Sequence, residues 1–83
     1  MRSPAISKEK FAAYAERKGW SPTATNKANP YECGRWIALI GNQSCCVVAF
    51  DSEKNSGTVR VWVDGIPTAD ALKAREQIVS EVH

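Results

Sequence analysis

Residues 58–63, Thr-Val-Arg-Val-Trp-Val, alternate without a break, with Val59, Val61 and Val63 on one side and Arg60 and Trp62 on the other. Period-two spacing of this kind commits a segment to a β-strand, because successive side chains of a strand point to opposite faces. A lone strand has nothing to pair with, so the rest of the chain must supply a sheet. Two further β-rich runs do so: Arg35 to Ile40 and Cys45 to Phe50, separated by the turn Gly41-Asn42-Gln43-Ser44. The polar stretch Asp51 to Gly57 connects the second run to the third. Gly34, at the head of the first run, marks a bulge or a late strand start.

Helical signals flank these runs. Ser7 is a good N-cap for a helix over Lys8 to Lys18 that carries Phe11, Tyr14 and Ala15 on one face. Gly19 ends it as a left-handed cap, with Trp20 folding back on Tyr14 or Ala15. Ser21 to Pro30 reads as a loop. After Asp64-Gly65, a second helix runs from Pro67-Thr68 to about Val82 with Leu72, Ile78, Val79 and Val82 on its apolar stripe. The expected architecture is α+β: helix, three-stranded antiparallel meander, helix, with both helices on one sheet face. At 83 residues this is a single domain, residues 1–83, with stability of about 5 kcal/mol.

The two faces of that sheet are the most informative feature. Pairing Ile40 with Cys45 and Phe50 with Thr58 places Trp36, Ala38, Ile40, Cys45, Val47, Ala49, Val59, Val61 and Val63 together as the core surface. The opposite face then carries Arg35, Ile37, Leu39, Cys46, Val48, Phe50, Thr58, Arg60 and Trp62. An uncovered sheet face normally reads polar. Here six of the nine residues are apolar, and aromatic and arginine side chains on an apolar ground are what protein-binding surfaces are enriched in. Either the loop over residues 21–34 covers this face or a partner does, the partner being another protein or a second copy of the chain.

Charge points weakly elsewhere. Residues 1–27 hold six bases against two acids, whereas residues 51–83 hold six acids against four bases. Lys8, Lys10, Arg17, Lys18 and Lys27 therefore form a candidate nucleic-acid surface, although a solvated helix face explains them as well. No apolar run approaches the roughly 20 residues of a membrane span, and the N-terminus lacks the apolar stretch of a signal peptide, so a cytoplasmic location is expected.

Signs of reaction chemistry are scarce. His83 is the single histidine, and Cys33, Cys45, Cys46 and His83 match no zinc-ligand spacing. Adjacent Cys45 and Cys46 point to opposite faces of a strand, so free thiols are expected. Cys33 beside Arg35 has no base to activate it, and the glycines sit singly at turns, not in a phosphate-binding loop. No enzyme activity, metal or cofactor is expected.

The helix–three strands–helix order resembles the double-stranded RNA-binding domain. The second helix opens Pro67-Thr68-Ala69-Asp70 and the first turn is Gly41-Asn42-Gln43-Ser44, in place of that family's Lys-Lys-x-Ala-Lys helix start and Gly-Pro-x-His turn. The likeness is one of topology and implies no phosphate contacts. The first 40 residues, with Arg17-Lys18-Gly19-Trp20, Asn29-Pro30-Tyr31-Glu32 and Arg35-Trp36, look like the small orphan proteins of bacteriophages and mobile elements, among them anti-CRISPR inhibitors of host defence. That resemblance implies a non-enzymatic module that acts in the host cytoplasm by blocking a surface of a larger complex. The expected contact residues are Arg35, Ile37, Val48, Phe50, Arg60 and Trp62, and the alternative is nucleic-acid binding through the basic first helix.

Overall fold

A computed structural model describes residues 5–52 and 57–82. Arg2, most of the polar connection before Thr58, and His83 lie outside the described residues. Two helices pack on one antiparallel sheet, as expected of an α+β chain. The sheet, however, has five strands and not three: β1 (Ile6–Ser7), β2 (Ser21–Thr23), β3 (Glu32–Ile40), β4 (Gln43–Asp51) and β5 (Thr58–Asp64), in the order β1-β5-β4-β3-β2. The expected meander is β3-β4-β5, and a short strand is added at each edge. Neither addition has a readable period: β1 is two residues long, and β2 is Ser-Pro-Thr, with proline tolerated because the strand is an edge.

These edge strands explain the path of helix α1 (Lys8–Arg17). All neighbours are antiparallel, so β1 and β2 run parallel at opposite edges, and α1 between them must cross the sheet. Ten residues of helix rise about 15 Å, roughly the width of the meander. Ser7 accepts from Lys10 N–H at 3.3 Å as the N-cap. At the other end Gly19, at φ 73°, and Trp20 donate to Glu16 and Ala15 carbonyls at 3.0 and 3.1 Å in a Schellman arrangement. Trp20 then meets Tyr14 edge-on, ring centroids 5.4 Å apart.

The expected core face is the observed one. Ala38, Cys45, Val47, Ala49, Val59, Val61 and Val63 are buried together with Ile6, Phe11 and Tyr14 and with residues of helix α2 (Thr68–Val82). Trp36, half-buried, packs edge-on against Phe11 at 5.2 Å. Two strand registers differ from expectation, each by two residues. Ile40 pairs with Gln43 across a two-residue turn whose central residues, Gly41 and Asn42, both have positive φ, the signature of a type I′ hairpin. Phe50 pairs with Arg60, not Thr58. A shift of two returns every side chain to the same face, so the division into two faces survives. In α2, Leu72 is 39% exposed, and the buried stripe is Ala71, Ala74, Ile78, Val79 and Val82. Small alanines let the helix lie close to the valines of β5.

Candidate interaction surface

The face opposite the helices is built row by row. Arg35, Val48 and Trp62 are cross-strand neighbours, Ile37 pairs with Cys46, and Phe50 pairs with Arg60. All six expected contact residues therefore share one face, but they are not equally available. Val48, on the central strand between Arg35 and Trp62, is only 3% exposed, so it belongs to the interior and not to a contact surface. Arg35, Phe50, Arg60 and Trp62 are half-buried. Ile37 is 48% exposed and its same-face neighbour Leu39 is 69% exposed. The open apolar ground lies at the hairpin end of β3, two strands away from Trp62 on β5.

Two devices close the rest. The first is a β-bulge. Glu32 pairs with Phe50 and Gly34 with Ala49, leaving Cys33 as the extra residue. Without it Glu32 would share the core face with Trp36; with it, the carboxylate reaches Arg35 on the open face. Arg35 Nε and Nη2 donate to Glu32 Oε2 and Oε1, both at 2.9 Å. Asn26 N–H adds a bond to Oε2 at 2.7 Å, tying the loop after β2 to this corner. The Glu32 side chain is 2% exposed. The Arg35 hydrogen bonds, reinforced by Asn26, hold its carboxyl below the usual glutamate value, and the same pairing raises the pKa of Arg35. Gly34 is needed here because a Cβ would lie 2.5 Å from the Trp36 ring. The second device is Arg75 of α2, whose guanidinium carbon lies 5.3 Å from the Trp62 ring centroid. α2 covers the other face, so Arg75 must pass around the β5 edge to engage Trp62 in a cation–π contact. Arg60 Nε is buried with no hydrogen-bond partner among the described residues.

The basic residues do not gather into one cluster. Lys8 pairs with Asp51 at 3.7 Å and Lys18 with Glu81 at 3.4 Å, at opposite ends of α1. Arg17 lies over the Tyr14 ring, 5.6 Å from its centroid. Lys10 and Lys27 are exposed and form no ion pair among the described residues.

Cysteine chemistry is muted. Cys33 and Cys45 thiols donate to the carbonyls of Ala49 and Ala38 at 3.5 and 3.6 Å. Burial pushes both thiols up, and nearby Asp51 adds to this at Cys33. Cys46 turns to the open face, 3.8 Å from Arg35 Nη1. Among the described residues no three His, Cys, Asp or Glu side chains converge as metal ligands, and no helix is long and apolar enough to cross a membrane.

One feature has no counterpart in the sequence pattern: a pocket of about 340 Å³ where α1, α2 and the β3–β4 hairpin tip meet. Tyr14 OH donates to Glu81 Oε2 at 3.2 Å inside it. Burial and the Glu81 charge push the Tyr14 phenol up to about 12. Burial pushes the Glu81 carboxyl up, but the Tyr14 hydrogen bond and the Lys18 charge outweigh it and leave it below its ordinary value. Comparison with known proteins adds no relative: no family model, no curated protein and no solved structure matches the chain.

Proposed function

We propose that this chain is a non-enzymatic protein-interaction module that works through the open sheet face, centred on Ile37 and Leu39. The observation that carries the reading is the pair itself: two branched aliphatic side chains, adjacent on one face, are 48% and 69% exposed on a regular strand of a rigid sheet. Because the strand backbone is already fixed in the sheet, binding here has to order side chains but not the backbone. Arg35, pinned by Glu32, borders it on β3, and Trp62, held under Arg75, lies on the same face across β4; both are side-chain types enriched at interaction sites. The mode of action is steric, as for a small inhibitor that occupies a surface of a larger complex, and the host-defence inhibitors of bacteriophages are its specific form.

Nucleic-acid binding through Lys8, Lys10, Arg17, Lys18 and Lys27 has less support, because Lys8 and Lys18 are already paired with acids and sit at opposite ends of α1. The test compares capture by three proteins: the wild type, an Ile37→Asp/Leu39→Asp variant and a Lys10→Ala/Lys27→Ala variant. The partner is expected to be lost with the first variant and retained with the second. The opposite pattern, with binding that collapses steeply as salt rises, would transfer the function to the basic residues.

A further inference from the structure

The pocket at the carboxyl ends of the two helices adjoins the sheet face at Leu39, which lines it, and has a chemistry of its own. Its walls are Tyr14 of α1 and the C-cap Lys18, Gln77 and Glu81 of α2, and the hairpin tip; Trp20, Leu39, Ile40 and Ile78 supply apolar surface. Three features favour a cation. Glu81 is a carboxylate held ionised, with Oε2 occupied by Tyr14 OH and Oε1 facing Lys18. The Tyr14 ring is a cation–π site that already carries Lys18 Nζ and the Arg17 guanidinium, 5.5 and 5.6 Å from its centroid. Both helices present their negative dipole ends here, α1 through Tyr14 and Lys18, α2 through its last turn.

The protein already fills this site with a cation of its own. Lys18 Nζ is 3.4 Å from Glu81 Oε1 and 5.5 Å from the Tyr14 ring centroid, so one ammonium satisfies carboxylate and ring together. That internal ligand is loosely held. The Lys18 and Glu81 side chains are 45% and 38% exposed, and a pair so open to water is worth little and exchanges readily. The apolar wall of Trp20, Ile40 and Ile78 can take the four-carbon stem of an incoming side chain while its charge stays at the polar rim.

We infer that this pocket is a binding site for a lysine side chain of a partner protein, whose ammonium replaces that of Lys18 between the Glu81 carboxylate and the Tyr14 ring. The site shares Leu39 with the sheet face but does not rest on that reading, since neither Lys18 nor Glu81, which hold the ammonium, belongs to that face. Lys18 acts as a tethered competitor, which lowers the apparent affinity for an outside ammonium by the fraction of time it occupies the site.

The experiment is a titration of the whole chain with Nα-acetyl-lysine methylamide at constant ionic strength, followed through the Trp20 indole N–H signal. Nα-acetyl-norleucine methylamide serves as the uncharged control. The lysine probe is expected to saturate in the millimolar range and the norleucine probe to leave the signal unmoved. Lys18→Ala should bind the lysine probe at least about threefold more tightly, and Glu81→Gln about fivefold or more weakly. Lys18 is a surface side chain, so its variant folds and decides the matter even if Glu81→Gln is perturbed. Equal or weaker binding by Lys18→Ala, or equal shifts with the lysine and norleucine probes, would overturn the inference.

Discussion

The two faces of the sheet have similar raw material and different fates. Valine, alanine, cysteine and tryptophan line the helix side; valine, isoleucine, leucine, cysteine, phenylalanine and tryptophan line the other. On the helix side Phe11, Ile78 and the alanines of α2 exclude water from every central position, and Val47 and Val59 have no exposed surface. On the far side no helix arrives. Val48 is nonetheless buried, flanked by Arg35 and Trp62, which are themselves fixed by Glu32 and Arg75. Among the described apolar residues of that face, Ile37 and Leu39 are the ones left exposed. An apolar composition therefore does not say whether a face is free. What decides is whether long polar neighbours are anchored so that they lie across it.

This comparison breaks first, and with the largest effect, at the helix side. Phe11→Ala removes the ring that meets both Trp20 and Trp36 and should cost about 3–5 kcal/mol. That is most of the stability of a domain this small, so denaturant unfolding followed by circular dichroism should find the midpoint moved most of the way toward zero denaturant. A cooperative transition close to the wild type's would show that α1 is not what seals the core.

Val48→Ala asks whether the far face has an interior of its own. A loss of about 2 kcal/mol in denaturant unfolding, comparable to that of Val47→Ala, is expected for a buried valine. A change within 0.5 kcal/mol, the usual range for a surface position, would mean that Arg35 and Trp62 do not cover it. Trp62→Ala should likewise weaken folding, since Trp62 is half-buried beneath Arg75 and is not a free contact residue.

The Glu32–Arg35 clasp is tested by pH. The folded pKa of Glu32 lies below its ordinary value of 4.5. The clasp thus stabilises the fold at and above that pH, and its contribution disappears as pH falls below 4.5 through the lowered folded value. Glu81 is also lowered and titrates in the same window, so the informative quantity is the difference between wild type and Glu32→Gln. The gap in thermal midpoint should be present at pH 7 and shrink toward pH 3. A gap independent of pH would show that the carboxylate charge does not hold the corner.

Most of the face assignment was legible in the sequence because a strand's pattern is read modulo two. The hairpin is tighter than Gly41-Asn42-Gln43-Ser44 suggested, since Gln43 and Ser44, polar enough to read as turn, extend β4. The difference is two residues, so every side chain keeps its face. The alternation of Thr58–Val63, the Ser7 cap and the Gly19 stop were legible for the same reason: each is a local signal. Four features were not. Ile6–Ser7 and Ser21–Thr23 are too short to show a period. The α2 stripe runs through alanines that no hydrophobicity pattern distinguishes from filler. The burial of Val48 depends on the cross-strand neighbours Arg35 and Trp62 and on Arg75 arriving from another element. The Tyr14–Lys18–Glu81 pocket exists only because two helix ends, Arg17 and Val82, far apart in sequence, finish at one place.

The smallest expected effect on folding carries the functional claim. Replacing Leu39 by the photoreactive benzoyl-phenylalanine should leave the thermal transition within the range of a surface change. On irradiation in extract of the cell in which the protein acts, position 39 is expected to yield one covalent adduct to a protein, suppressed by excess unlabelled wild type. The same group at Lys10 should yield none. An adduct formed at position 10 and absent at 39, or none at 39 in an extract where the wild type captures its partner, would contradict the assignment of the Ile37–Leu39 face as the working surface.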